Sequence, residues 1–130
     1  MNDPDSAASN KMQSAPIDPL QEQCGVRAAL DVVRGRWKPF IMYELHMQRR
    51  RYSELQAAIP QVSAQALTKQ LRELEHDGVV KRSVIDDSPV RVVYELTEFG
   101  WTLGEILDRL EEWGNDYLRR RNPNHSQKCE

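Results

Sequence analysis

Residues 63–78, SAQALTKQLRELEHDG, are the part of the sequence that decides the predicted fold. Ser63 suits the N-cap of a helix, and Gly78 suits the left-handed conformation that commonly follows a helix end. Leu67, Leu71 and Leu74 recur at helical spacing and predict one narrow apolar stripe between these ends. A different face carries hydrogen-bond donors and no acid, and its members are Gln65, Thr68, Lys69 and Arg72.

This donor-rich face has two interpretations. Taken alone, such a pattern is more often an ordinary amphipathic helix with a solvated polar face. The same residue types also read base edges in a major groove, because Arg and Lys bond guanine, Gln bonds adenine and Thr contacts the thymine methyl. The flanking sequence decides between the two.

Three helices are predicted upstream of Ser63. The first has a helical apolar face and ends at Gly35, and the second starts at Trp37-Lys38-Pro39, where a proline is tolerated. The third is short, covers residues 52–59 and ends at Pro60. A short helix, a brief turn and a longer donor-rich helix form a helix-turn-helix. Apolar residues cover much of the second helix and make it the expected core helix, and they are Phe40, Ile41, Tyr43, Leu45 and Met47.

A hairpin and a long helix are predicted after Gly78. Residues 79–85 and 90–96 are short and β-branched, and Asp86-Asp87-Ser88-Pro89 between them is typical of a turn. Thr97 is the expected N-cap of the last helix. The fold class is therefore mainly α with a small β-hairpin (α+β), as in a winged helix-turn-helix domain whose hairpin is the wing.

One folded domain between disordered tails is expected. The chain has 130 residues, of which 39% are hydrophobic, and this suits one domain with a modest core. Residues 1–17 and 122–130 are polar, and we interpret both as disordered tails around a domain at 18–121. The first helix starts either at Asp18-Pro19, an N-cap followed by proline, or near Cys24.

The charge is unevenly distributed along the chain. The net charge is −2, but residues 34–91 carry eleven Lys and Arg against seven Asp and Glu, a local charge of +4. A locally basic segment can bind DNA although the whole protein is acidic. No apolar run approaches the roughly 18 residues that cross a bilayer, and no signal peptide is seen, so we expect a cytoplasmic protein without membrane contact.

No catalytic or metal-binding constellation is recognisable. His46, His76 and His125 are widely separated, and the sequence has no Cys/His metal spacing, no catalytic triad and no phosphate-binding loop. We therefore expect no enzyme, no metal and no cofactor. Trp37, Trp101 and Trp113 fit an aromatic ligand cage, although such residues more often pack in cores or interfaces.

Several separate motifs in the first half resemble one known family. Residues 24–25 (CG), 30–33 (LDVV) and 35–39 (GRWKP) are similar to the opening motif of the HxlR-type, MarR-like winged helix-turn-helix transcriptional regulators. Residues 51–55 (RYSEL) resemble the short helix of that family.

The resemblance continues in the same order through the second half. Residues 67–75 (LTKQLRELE) followed by Asp77-Gly78 resemble the family's recognition helix, and residues 93–97 (VYELT) with Gly100 resemble its second wing strand and last helix start. Several motifs in one order make a resemblance specific. It implies a homodimer, joined by the first and last helices, that binds a double-stranded operator.

Fold and family together give the candidate DNA contacts. The recognition-helix candidates are Ser63, Gln65, Thr68, Lys69 and Arg72. Phosphate contacts are assigned to Arg51, Lys81 and Arg82, and a minor-groove or phosphate contact to Arg91 on the wing. The run Arg49-Arg50-Arg51 also complements the dipole of the helix before it, which is the simpler interpretation of that run.

The last helix is the candidate dimer interface. Its apolar stripe is too long for one small core to cover, and its members are Leu103, Ile106, Leu107, Leu110, Trp113 and Tyr117.

Cys24 is a candidate redox sensor. It stands at a predicted helix start near Arg27, and both the helix dipole and the cation favour a thiolate. In the family that this sequence resembles, an N-terminal cysteine senses oxidants or electrophiles. A small buried hydrophobic residue is the equally weighted alternative. The sequence does not decide whether Cys24 or Cys129 is redox-active.

Two functions of different class remain. The first is a dimeric transcriptional regulator on a pseudopalindromic operator, with Cys24 as a candidate for a response to oxidants or electrophiles. The second is a winged-helix protein-interaction module without specific DNA binding. An interaction module would present apolar residues on the face of residues 65–72, whereas this chain presents donors there. The operator, the regulated genes, the sign of regulation and the effector cannot be read from the sequence.

Overall fold

Five helices and three short strands make up the part of the chain that the computed structural model describes, residues 24–87 and 89–122. In chain order they are α1 (Gly25–Val32), α2 (Lys38–Met47), β1 (Arg50–Arg51), α3 (Tyr52–Ala58), α4 (Ala64–His76), β2 (Val80–Asp87), β3 (Val90–Leu96) and α5 (Glu98–Arg121). The winged helix-turn-helix prediction is confirmed. The tails predicted at 1–17 and 122–130 lie outside the described residues, apart from Asn122.

The chain divides into two compact units between Arg34 and Gly35. In the first unit Cys24 is the N-cap of α1, and its carbonyl oxygen accepts a hydrogen bond of 2.9 Å from the Ala28 N–H. The helix therefore starts near Cys24, one of the two predicted positions. The other, Asp18-Pro19, lies outside the described residues.

In the second unit α2 supplies the centre of the core. Pro39 lies in its first turn, and Ile41, Met42 and Leu45 are at most 2% exposed. The prediction that Met47 belongs to this core is wrong, because its side chain is 61% exposed. Met47 is the last residue of α2 and lies two positions beyond Leu45, which is about 200° around the helix.

The helix-turn-helix is formed by α3, residues 59–63 and α4. The Ser63 hydroxyl accepts a hydrogen bond of 3.1 Å from the Ala66 N–H, as an N-cap does. Gly78, two residues beyond α4, has a φ of 79°, the left-handed conformation predicted for it. Apolar residues from all three segments are at most 5% exposed and complete the core, and they are Leu55, Ile59, Val62, Leu67, Leu71 and Leu74.

The sheet is antiparallel, with strand order β1-β3-β2. The hairpin was predicted, but β2 continues to Asp87 through an irregularity between Val84 and Asp86. Asp86 and Asp87 therefore belong to the strand and not to the turn. Strand β1 was not predicted, and it pairs Arg50 with Tyr94 and Arg51 with Val93.

The start of α5 is fixed on the core by Thr97. Its hydroxyl accepts a hydrogen bond of 2.9 Å from the Gly100 N–H and donates one of 2.7 Å to the Gly78 carbonyl. Gly100 and Gly104 are the buried residues of α5, so only its first turns pack closely on the rest of the second unit. At 24 residues the helix is about 36 Å long and presents a long exposed surface.

Candidate DNA-binding surface

The exposed face of α4 includes three polar side chains that can donate hydrogen bonds. Gln65, Lys69 and Arg72 are exposed, while the leucines on the opposite side are at most 1% exposed. These positions are separated by three or four residues, so the three side chains lie on adjoining turns of one face. The leucines therefore anchor the helix while this face remains accessible to a ligand.

Thr68 lies at the edge of that face and is half-buried. Its Oγ1 is 3.1 Å from the hydroxyl of Tyr52, which also donates a hydrogen bond of 2.8 Å to the Ala64 carbonyl. Tyr52 thus ties the first residue of α3 to the first turns of α4. Sequence reasoning did not identify Tyr52, because its partners are 12 and 16 residues away.

Lys69 lies near a carboxylate of the same helix. Its Nζ is 4.0 Å from the Glu73 Oε2, and the Nζ of Lys38 is 2.7 Å from the Glu73 Oε1. The Lys38 side chain is only 5% exposed. Glu73 therefore links α4 to α2 and compensates a buried positive charge that the sequence pattern did not reveal.

Arg50 and Arg51, two of the three arginines of residues 49–51, have different surroundings. Arg50 Nη2 is 3.1 Å from the Glu44 Oε1, and both side chains are mostly buried. Arg51 is exposed, and its backbone N–H donates a hydrogen bond of 2.8 Å to the Glu54 Oε1 at the start of α3. Arg50 thus stabilises the junction of α2 and the sheet, while Arg51 presents its side chain to solvent.

The wing carries three exposed basic side chains. Lys81 and Arg82 lie on β2 and Arg91 lies at the start of β3. Successive strand residues point to opposite sides of a sheet, so Lys81 and Arg82 face different sides of the wing. One of the two can therefore share a surface with α4. Arg51 lies on β1, which pairs with the same strand that carries Arg91.

The residues predicted for the dimer interface differ in exposure. Leu103 and Leu107 are half-buried, and four others are 43–66% exposed, namely Ile106, Leu110, Trp113 and Tyr117. The rings of Trp113 and Tyr117 stack with centroids 5.6 Å apart. The C-terminal half of α5 thus carries a continuous apolar surface in this chain.

Cys24 is half-buried at the N-cap of α1, and its thiol is free. Within residues 24–87 and 89–122, no three His, Cys, Asp or Glu side chains are grouped so that they could hold a metal ion. None of the described helices is both long and apolar enough to cross a membrane.

A helix-turn-helix with an exposed donor-rich second helix, followed by a hairpin that exposes three basic side chains, defines the class of winged helix-turn-helix DNA-binding proteins. Residues 32–122 match the model of the HxlR-like helix-turn-helix family. The chain belongs to this family of transcriptional regulators.

Individual relatives agree with that assignment. The chain is 40% identical over 99 residues to the uncharacterized HTH-type transcriptional regulator YdeP of Bacillus subtilis (strain 168), a match that covers 76% of this chain and 77% of YdeP. The crystal structure of the HTH-type transcriptional regulator ytcD is 43% identical, with a TM-score of 0.69 and coverage of 74% of this chain and 98% of that one. The redox regulator HypR in its oxidized form is 42% identical, with a TM-score of 0.66 and coverage of 72% and 96%.

Proposed function

We propose that the protein is a homodimeric regulator that binds a pseudopalindromic operator through the exposed face of α4. The observation that carries this proposal is the combination of Gln65, Lys69 and Arg72 on one accessible face, with the leucines opposite them buried. These side chains supply the donors that recognise guanine and adenine edges in the major groove. Two such helices must lie roughly 34 Å apart to enter successive grooves, which requires a dimer.

In this proposal the exposed basic residues of the wing and the sheet contact the sugar-phosphate backbone of the DNA. Arg51, Lys81 or Arg82, and Arg91 neutralise phosphates, and Arg91 also reaches the minor groove. Ser63 is a candidate DNA contact at the N-terminus of α4, and its hydroxyl also accepts the capping hydrogen bond from the Ala66 N–H. Thr68 contacts DNA only at the edge of the face, since its hydroxyl is engaged with Tyr52.

Selection of random double-stranded DNA retained by the purified protein, followed by sequencing, identifies the operator. On that operator Lys69→Ala and Arg72→Ala should each lose about 1–3 kcal/mol of binding free energy, with little loss on random DNA. Arg91→Ala should weaken both and lower the salt slope by about one. Arg119→Ala, at an exposed position of α5 about 180° around the helix from Leu110, is the control and should bind like the wild type. Equal losses on operator and random DNA for all variants contradict base reading by α4.

The alternative function as a protein-interaction module has less support. The face of α4 formed by Gln65, Lys69 and Arg72 is polar, whereas the core of a protein interface is usually apolar and aromatic. The interaction module would be favoured if the protein retains no preferred DNA sequence and if Lys69→Ala and Arg72→Ala leave the DNA affinity unchanged.

An oxidant or electrophile response through Cys24 is part of the proposal. It is supported by the free thiol at the N-cap of α1 and by the similarity to the redox regulator HypR. Modification of a residue in a helix of the dimer would turn one recognition helix relative to the other and release the operator. Gel shifts with and without diamide or a quinone should show release for the wild type and for Cys129→Ser, but not for Cys24→Ser. Unchanged affinity of the wild type after complete modification of Cys24 leaves this cysteine a packing residue.

A further inference from the structure

A small open cavity lies between the start of α2 and the end of α3. Its volume is about 200 Å³, and all of its lining residues belong to the unit that begins at Gly35. None of them is on the donor face of α4, so the cavity is separate from the DNA-binding surface. Trp37 lines this cavity, and it is one of the three tryptophans considered above for an aromatic ligand cage.

Four of the seven residues that line the cavity are aromatic or apolar, namely Trp37, Phe40, Ala58 and Ile59. The rings of Trp37 and Phe40 lie 6.4 Å apart and are inclined by 49°, and Ile59 is 5% exposed. An apolar protein cavity of roughly 150 Å³ holds a benzene molecule. A volume of about 200 Å³ therefore suits one aromatic ring with one or two small substituents.

The charged groups in and beside the cavity are two cations, Arg36 and Arg50, and one carboxylate, Glu44. The guanidinium of Arg36, an exposed residue, lies 5.2 Å from the centre of the Trp37 ring. The Glu44 carboxylate also lines the cavity, but Arg50 compensates its charge at 3.1 Å. Glu44 and Arg50 compensate each other, so the positive charge of Arg36 remains. The cavity therefore favours an anion over a cation.

We propose that this cavity binds a single-ring aromatic acid. The ring lies against Trp37 and Phe40, and the carboxylate of the ligand pairs with Arg36. A ring hydroxyl opposite the carboxylate donates to Glu44, which as a carboxylate has several acceptor positions. The preferred class is therefore a hydroxybenzoate, and this binding does not depend on the proposed contact with DNA.

The test is calorimetric titration of the full chain without DNA. The probe is 4-hydroxybenzoate, and 4-hydroxybenzamide is its neutral control of nearly the same shape. For a ligand of this size we expect one site per chain and a Kd on the order of 1 mM for the acid. The amide should bind about tenfold more weakly, since it lacks the charge that pairs with Arg36.

Two variants with matched controls locate the site. Arg36→Gln should weaken binding of the acid about tenfold and leave the amide unchanged. Ala58→Leu fills the cavity from an exposed position and should abolish binding of both, whereas Ala57→Leu, at the exposed neighbour that does not line the cavity, should bind like the wild type. The proposal is overturned if the wild type shows no saturable heat up to about 10 mM, ten times the expected Kd. It is equally overturned if acid and amide bind alike, or if Ala58→Leu retains binding.

Discussion

Lys38 is buried although its side chain is charged, and this single residue couples the core helix to the recognition helix. Its ammonium group lies 2.7 Å from Glu73, whose side chain is 43% exposed. The two members of the pair are therefore unequal, because water can solvate the carboxylate but not the ammonium group. Removing a partner from a buried charge costs more than removing the buried charge itself.

This asymmetry gives a stability prediction. Glu73→Gln leaves Lys38 buried without a counter-charge and should lower the free energy of unfolding by about 2 kcal/mol. Lys38→Met replaces the buried charged side chain with an apolar one and leaves Glu73 in contact with water. The free energy of unfolding should therefore change by no more than about 1 kcal/mol. Urea denaturation of both variants at one protein concentration measures the difference. A larger loss for Lys38→Met than for Glu73→Gln contradicts it.

The sequence contained the local signals for these residues but not the distant ones. Ser63, Thr97 and Gly78 were predicted because a cap or a left-handed residue acts within three or four positions of itself. The partners of Lys38 and Tyr52 lie 35 and 12 to 16 positions away, so no short-range pattern reveals them.

At the scale of elements, the same distinction explains the sheet. The hairpin was predicted because β-branched residues and a turn are local features, whereas β1 consists of two arginines with low strand preference. Arg50 and Arg51 are extended because they pair with Tyr94 and Val93 of β3. The extended conformation of β1 therefore results from its pairing with β3 and not from a local sequence preference.

The packing of α5 on the hairpin depends on the absence of a side chain at Gly100. A Cβ added there would lie 2.0 Å from the Val79 carbonyl oxygen, which is a backbone atom and cannot move aside without shifting the strand. The first turn of α5 therefore approaches the backbone before β2 as closely as only glycine allows.

Gly100→Ala should consequently lower the free energy of unfolding by about 3 kcal/mol or prevent folding. Gly114→Ala in the same helix is the matched control, because a Cβ there meets nothing within 4 Å in this chain. It should change stability by about 1 kcal/mol or less, and in the stabilising direction if the position is not at an interface. Thermal unfolding followed by circular dichroism compares the two, and equal stability of both variants would exclude close packing at Gly100.

At the scale of the whole molecule, the surface of α5 and the proposed operator geometry favour the same assembly, the proposed homodimer. Ile106, Leu110 and Trp113 are 54–66% exposed, and they recur at helical spacing on one face. A soluble monomer rarely exposes a continuous apolar surface of this length. In the proposed homodimer a second copy of the chain covers this face through the same residues, because a two-fold interface is self-complementary. The second copy also supplies the second recognition helix of the proposed complex.

Leu110→Glu places a charge in the middle of this face, and we expect it to convert a dimer into a monomer, since an unpaired carboxylate buried between two helices is strongly unfavourable. Arg119→Glu is the control because it also introduces a carboxylate at an exposed position of α5, but nine positions away and therefore about 180° around the helix. Sedimentation equilibrium should give a dimer for the wild type and Arg119→Glu and a folded monomer for Leu110→Glu. The monomer should also lose operator affinity, because one recognition helix reaches only one half-site. A stable dimer of Leu110→Glu would place the interface elsewhere, and a monomeric wild type that still binds a full operator would remove the dimer from the proposed mechanism.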